Sequence, residues 1–157
     1  MTGSRDWEVE FYADDAEREP CRAWMEKLPP TKRIALEMAI QLVLARRGLA
    51  VMETEFGKAL GGGLYEFRLL WSADEVRRKV GDVSSGAVGR PEKILLRAFF
   101  CTSGRKIILL LSGYDKAKEP GHRRQERAIT QARKLQAAHQ EAERCRMREP
   151  RSGGTPV

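Results

Sequence analysis

The sequence predicts one α+β domain with a mainly antiparallel four-stranded sheet, an N-terminal helical hairpin on one face and a C-terminal helix. The first observation is a pair of apolar runs around a Ser-Gly turn between Ile94 and Asp115, a pattern typical of a β-hairpin. The second is a strand pattern at residues 64–71 that leads to this hairpin without an intervening helix. The third is a pair of helical patterns that precede both. The predicted element order is β-α-α-β-β-β-α.

The N-terminal segment predicts a strand followed by a helix. Apolar and acidic residues alternate over residues 7–12, as they do in a strand with one buried face. Asp14 and Asp15 are candidate N-cap residues for a helix that extends to about Lys27. Because Pro20 lies inside this segment, either the helix starts late or a short first turn precedes it.

The middle of the chain predicts a second helix, a connection, a strand and a loop. Thr31 is the predicted cap of the helix, which ends at Gly48 after two arginines. Residues 49–63 predict a connection that re-enters the core and turns sharply at three glycines. Residues 64–71 predict the second strand, and the polar residues 72–93 predict an exposed, mobile loop.

The C-terminal part predicts the hairpin, a helix and a tail. The hairpin supplies the third and fourth strands, and its apolar runs indicate a sheet covered on both faces. A short apolar stripe on a basic background predicts a third helix from His122 to about Arg144. Residues 145–157 predict a disordered tail. Residues 1–144 therefore form one predicted domain, within which residues 72–93 are an insertion.

The charge is unevenly distributed along the chain. Residues 1–60 carry 9 Lys or Arg and 11 Asp or Glu, whereas residues 61–157 carry 20 and 11. A basic half favours a polyanionic partner, most often nucleic acid, although an acidic protein partner or solubility alone also fits. No apolar run reaches the roughly 20 residues that span a bilayer, so we expect no membrane partner. Three scattered cysteines match neither a disulfide framework nor a zinc site, and we expect a cytoplasmic protein.

Two arginines in predicted strands are the main candidates for function. Arg97 interrupts an apolar run, where an arginine costs free energy unless it is paired or opens into a site. Arg68 shares its predicted strand face with Glu66, so it either forms an ion pair or binds a ligand. Arginines from neighbouring strands that meet on one face can bind phosphate and stabilise charge on a phosphodiester.

The segments around these arginines resemble the RelE superfamily, and more closely its HigB-like, phage-derived host-inhibition branch. The resemblance rests on the strand Leu64-Tyr65-Glu66-Phe67-Arg68, the strand with Arg97 and the lysine-rich segment that precedes Pro120. It covers roughly residues 7–135 in element order, and its motifs lie between Gly63 and Pro120. The insertion at residues 72–93 is longer than the tight turn usual in such proteins.

The resemblance implies the toxin of a type II toxin–antitoxin pair. Such toxins cleave mRNA on the ribosome through the RNA's own 2′-hydroxyl, without metal or cofactor, and a helix-turn-helix antitoxin binds and neutralises them in a hetero-oligomer. Carried over by position, the catalytic residues are Arg68, Arg97 and Lys116. Further RNA-binding candidates are Lys118, His122, Arg123 and Tyr114. The alternative is a non-catalytic nucleic-acid- or antitoxin-binding protein on the same scaffold.

Overall fold

A computed structural model describes residues 6–70, 72–79 and 94–148. Its sheet has five strands: β1 (Glu8–Phe11), β2 (Gly57–Gly61), β3 (Leu64–Leu69), β4 (Leu96–Thr102) and β5 (Ile107–Asp115). Their order across the sheet is β1-β5-β4-β3-β2. The β1–β5 pair is parallel and the other three pairs are antiparallel. The α+β class is confirmed, whereas the predicted number of four strands is wrong because the sheet has five.

The additional strand is β2, which lies in the segment predicted as a connection. It pairs with β3 through a turn in which Gly61, Gly62 and Gly63 have φ values of 94°, 66° and 82°. Only glycine adopts such angles without strain, so the three glycines make the hairpin possible. The strand escaped sequence analysis because β2 is an edge strand with much of its surface exposed, and it lacks an apolar alternation.

The helices surround this sheet on both sides. They are α1 (Pro20–Glu26), α2 (Pro30–Ala39), α3 (Ala45–Arg47), α4 (Ala73–Lys79) and α5 (His122–Arg148). A π-helical turn, Ile40–Leu44, joins α2 to α3, and a 3₁₀ segment, Gly48–Glu53, follows. No helix among the described residues has the length and apolar character needed to cross a bilayer.

Two predicted caps are wrong. Neither Asp14 nor Asp15 caps α1, whose N-cap position is Glu19. The Asp14 carboxylate accepts the backbone N–H groups of Ala16 and Arg18 in a turn before the helix. The helix starts at Pro20, because proline fits the first helical position, where an N–H has no helical partner. Thr31 lies inside α2, which begins at Pro30 for the same reason.

Two predicted irregular segments contain helix. Residues 73–79 of the expected loop form α4, which packs on α2 and buries Val76 completely. The helix α5 continues to Arg148, four residues into the expected tail. The remaining parts of both predictions, residues 80–93 and 149–157, lie outside the described residues, as does Trp71 at the end of the predicted second strand.

The core has two layers, one on each face of the sheet. On one face α1 and α2 cover a layer that includes Phe67, Leu96, Ala98, Phe100 and Leu110. On the other face α5 covers a second layer, which includes Leu64, Phe99, Cys101, Leu111 and Tyr114. The central strand β4 is therefore buried on both faces, as its apolar run predicts.

The end of α3 is fixed by close packing against the first strand. Gly48 has a φ of 55°, and a Cβ atom built there would lie 2.1 Å from the Trp7 indole. The backbone N–H of Trp7 donates to the Ala45 carbonyl at 2.7 Å, so the backbone and the ring of Trp7 are both held at this point. Glycine is needed here both for its conformation and for its size.

We expect Gly48→Ala to destabilise the protein by about 1–3 kcal/mol more than Gly61→Ala, measured by urea unfolding. Both glycines have positive φ, but nothing lies within 4 Å of a Cβ built at Gly61. The difference between the two variants therefore reports the clash with the Trp7 ring. Equal losses of stability would show that the ring moves away without cost.

Candidate functional site

The strand register places three polar side chains in one row on the α5 face of the sheet. Arg68 of β3 lies opposite Arg97 of β4, and Arg97 lies opposite Tyr114 of β5. Residues directly opposite each other in antiparallel strands project from the same face. The structure therefore brings the two candidate arginines together, which was the geometric premise of the sequence-based hypothesis.

A buried carboxylate lies between the two arginines. Glu66 Oε1 is 3.5 Å from Arg68 Nε, and Glu66 Oε2 is 3.8 Å from Arg97 Nε. The Glu66 and Arg97 side chains are only 1% and 3% exposed, whereas that of Arg68 is 34% exposed. One carboxylate thus faces two guanidiniums, and the cluster keeps a net positive charge whose accessible part is Arg68.

Tyr114 completes the row and lies under the first turns of α5. Its ring stacks on Phe99 with the centroids 6.1 Å apart. The Arg124 guanidinium lies 5.2 Å from the centre of the Tyr114 ring, and Glu119 forms an ion pair with Arg124. Arg124 therefore adds a third guanidinium to the row through a cation–π contact.

This part of the sheet concentrates polar atoms that lack hydrogen bonds. Among the described residues, six buried side-chain N or O atoms have no hydrogen-bond partner. Five of them lie here: Glu66 Oε2, Arg68 Nε, Arg97 Nε, Ser112 Oγ and Tyr114 Oη. Burying such groups without full hydrogen bonding costs free energy, so a cluster of them points to a functional site rather than to a device for stability.

Burial changes the acid–base properties of two residues in the row. It raises the pKa of the Tyr114 phenol above its ordinary value, and the negative charge of Glu66 raises it further. Burial lowers the pKa of the Arg97 guanidinium, with Glu66 opposing that effect and Arg68 adding to it. At neutral pH Tyr114 is therefore a protonated donor, and Arg97 remains a cation.

The basic segment after β5 is held by Asp115. Its Oδ2 accepts a 2.6 Å hydrogen bond from Lys32 Nζ of α2, and its Oδ1 accepts the N–H groups of Ala117 and Lys118. Lys116 extends the β4–β5 pairing by one bond, since its N–H donates to the Leu95 carbonyl at 2.8 Å. The predicted residues Lys116 and Lys118 thus lie in a fixed turn that follows Tyr114.

The other predicted residues lie at the exposed start of α5. His122 Nε2 lies 3.2 Å from Oε2 of Glu126, one turn further along the helix. The neighbouring residue, Arg123, is exposed. Arg124, rather than either of these, contacts the row on the sheet. The RNA contacts predicted for Lys118, His122 and Arg123 stay predictions.

Glu66 and Arg124 are site residues that the sequence did not predict. The signal for Arg124 is present in the helix, because Arg124, Ala128, Ala132 and Gln136 recur every four residues and the last three are buried. The sequence pattern of β3 indicates only that Glu66 shares a strand face with Arg68. That it also faces Arg97 depends on the β3–β4 register, which a single sequence does not give.

No protein-family model matches the chain, and no curated protein matches it significantly. The described parts of the chain contain no group of three or more His, Cys, Asp or Glu side chains placed to hold a metal ion.

We expect Glu66→Gln to lower the free energy of unfolding by about 3 kcal/mol, because it leaves the buried Arg97 without its counter-charge. Sulfate should restore more stability to this variant than to the wild type, since the freed guanidiniums then bind the anion. Urea unfolding with and without sulfate measures both effects. The same sulfate increment in the two proteins would show that the guanidiniums do not form an anion site.

The stability of the wild type should fall at alkaline pH. Because the folded pKa of Tyr114 is raised, its contribution is present below the unfolded value of about 10 and is lost as pH rises from there through the folded pKa. Tyr114→Phe removes this contribution, so its stability should decline less between neutral pH and pH 11. Parallel stability–pH curves for the two proteins would contradict the raised pKa.

Proposed function

We propose that this protein is the toxin of a type II toxin–antitoxin pair and a metal-independent, ribosome-dependent mRNA endonuclease of the RelE/HigB type. The observation that carries the proposal is the row Arg68–Arg97–Tyr114 with Glu66 beside it. Arg68 and Arg97 lie in the two strands whose sequences carry the resemblance. The basic turn that contains Lys116 and Lys118 directly follows Tyr114.

The partly exposed guanidinium of Arg68 is the group that binds the scissile phosphate. Its side chain is 34% exposed, and a planar guanidinium donates two parallel hydrogen bonds to phosphate oxygens. Arg97 is buried beside Arg68 and acts on the phosphate indirectly. Because Arg97 shares the Glu66 carboxylate, that carboxylate cannot neutralise Arg68 fully, and positive charge remains for the phosphate.

The chemistry transfers the phosphoryl group within the RNA. The 2′-oxygen forms a bond to the adjacent phosphorus, and the bond from phosphorus to the 5′-oxygen breaks. The products are a 2′,3′-cyclic phosphate and a 5′-hydroxyl. The 2′-hydroxyl loses a proton and the 5′-oxygen gains one, while negative charge builds up on the phosphate oxygens, where Arg68 stabilises it.

Two groups of the row are suited to these proton transfers. The Glu66 carboxylate is an acceptor whose Oε2 makes no hydrogen bond within the described structure; since its side chain is 1% exposed, the RNA reaches it only after the side chains that cover it move. The Tyr114 phenol is a donor, since a tyrosine is protonated at neutral pH and burial raises its pKa further. Tyr114 is covered by Arg124, so the RNA reaches the phenol only after the Arg124 side chain moves. Lys116 and Lys118 bind the neighbouring phosphates of the mRNA.

A non-catalytic role on the same scaffold is the second candidate. The observation in its favour is burial: Arg97 is 3% and Tyr114 is 1% exposed, so only Arg68 is directly open to a ligand. A protein of this kind binds nucleic acid or a helix-turn-helix antitoxin through its basic surface and does not cut. Mapping of RNA ends separates the two candidates.

Arg68→Ala should lower translation-dependent mRNA cleavage by about 100-fold, because it removes the accessible donor to the transition-state phosphate. The measurement is primer extension on mRNA from a purified translation reaction that contains the full chain. Arg105→Ala is the matched control, since Arg105 is an exposed arginine in the β4–β5 turn, and it should cut within about twofold of the wild type.

New mRNA ends that are equally abundant with Arg68→Ala would overturn the assignment of Arg68. If the wild-type protein binds RNA but makes no new ends during translation, the non-catalytic candidate is correct. Since Arg68 is partly exposed, its variant should fold, and circular dichroism checks this.

A further inference from the structure

From Val9 onward the first strand leaves one edge of the sheet open, whereas the backbone N–H of Trp7, just before the strand, donates to the Ala45 carbonyl of α3. In the parallel pair with β5, Glu8 and Tyr12 donate their N–H groups to Lys106 and Leu110, so the alternate residues Val9 and Phe11 direct their backbone groups outward. In the part of the chain that the structure describes, no strand lies beyond β1. An edge of this kind is a template for pairing with another strand.

A groove lies beside this open edge. It has a volume of about 410 Å³ and is formed by β1, β5, the helices α1 and α2, the π-helical turn and the start of α3. Six of its lining side chains are apolar: Val9, Phe11, Met25, Ile40, Ala45 and Leu110. The polar lining residues carry balanced charges, two arginines and two glutamates with one glutamine: Arg22, Arg33, Glu26, Glu37 and Gln41. A strand added beside β1 would direct every second side chain towards this groove, in the position that the covered strands of the sheet occupy.

The opposite face of β1 is acidic. Glu8 and Glu10 alternate with the groove-lining residues, and both are exposed. No ion pair of either carboxylate is found within residues 6–70, 72–79 and 94–148. Opposite charges on adjacent strands attract, so a strand with basic residues at these positions would be favoured.

The same charges disfavour a second copy of this chain. Two β1 strands paired across a two-fold axis would bring Glu8 and Glu10 of one copy against those of the other, and like charges on adjacent strands repel. The far edge of the sheet is also a poor site. Strand β2 contains a register shift, and Arg133 of α5 binds the carbonyls of Leu60 and Gly61 there.

We propose that β1 accepts a sixth strand from a partner protein, an extended segment in which basic and apolar residues alternate. Its apolar side chains fill the groove, its basic side chains pair with Glu8 and Glu10, and its backbone bonds with Val9 and Phe11. This mode of recognition draws affinity from the backbone and specificity from alternate side chains. It is independent of the proposed RNA cleavage, which uses the row across β3, β4 and β5 and neither the groove nor the outer edge of β1.

The probe is a labelled peptide, Lys-Val-Lys-Leu-Lys-Val-Lys, titrated into the full chain and followed by fluorescence anisotropy. Two control peptides separate pattern from charge. One has the same residues with all four lysines first, and the other has glutamate in place of each lysine. We expect the alternating basic peptide to bind about tenfold more tightly than either control. Hydrogen exchange should show protection of the Val9 and Phe11 amides only in the complex.

Charge reversal gives the sharpest test. The variant with Glu8→Lys and Glu10→Lys should lose about tenfold in affinity for the basic peptide and should prefer the glutamate peptide. The matched control is Glu53→Lys with Asp74→Lys, which makes the same change in net charge at exposed positions away from β1 and should leave binding unchanged. Val9→Pro removes an outward N–H and should weaken binding by about tenfold.

Three results would overturn the proposal. Equal binding of the alternating and block peptides would mean that charge alone attracts them. Protection of amides elsewhere, without change at Val9 and Phe11, would place the peptide on another surface. Sedimentation that shows a dimer of the wild type and a monomer of Val9→Pro would assign the edge to a second copy. If Val9→Pro does not fold, the charge-reversal pair still decides.

Discussion

The buried Glu66 carboxylate, set between Arg68 and Arg97, is the interaction on which the site depends. A single negative charge holds two guanidiniums on neighbouring strands without neutralising both. Replacing such a group of charges with apolar residues often stabilises a protein, so stability alone does not account for its presence. Glu66 holds Arg68 at the surface and leaves a net positive charge on the cluster. The nearby Tyr114, a buried phenol, extends the same polar row to β5.

Asp115 connects the two faces of the sheet. Its side chain binds Lys32 in the helical layer on one face, and it also accepts the backbone N–H groups that shape the basic turn after β5. The packing of α2 is thereby coupled to the position of Lys116 and Lys118. On the other face, α5 is fixed to the β2–β3 turn because Arg133 and Gln136 bind carbonyls of the glycine-rich segment. These contacts place the start of α5, and with it Arg124, over Tyr114.

The molecule presents surfaces of opposite charge at different places. The start of α5 and the turn before it are rich in Lys and Arg, next to the row on the sheet. The β1 edge carries the exposed Glu8 and Glu10 beside an apolar groove. A polyanion is attracted to the first surface and repelled by the second, whereas a basic extended peptide has the reverse preference. The two surfaces therefore differ in the charge of the ligand that each attracts.

The sequence by itself determined the periodic elements and the faces of their residues. Alternation of apolar and acidic residues predicted β1, and apolar runs around a turn predicted the β4–β5 hairpin. Within β3, the period of two placed Glu66 and Arg68 on the face opposite Tyr65 and Phe67, because side chains alternate along every strand. Tertiary structure decided what local patterns do not contain. The edge strand β2 has no apolar alternation, and the buried face of α4 becomes evident only where Val76 meets the core. The register of β3 against β4 brought Arg97 to Glu66, and the path of α5 brought Arg124 to Tyr114. Contacts between residues far apart in the chain depend on how the elements pack, and one sequence does not specify that packing residue by residue.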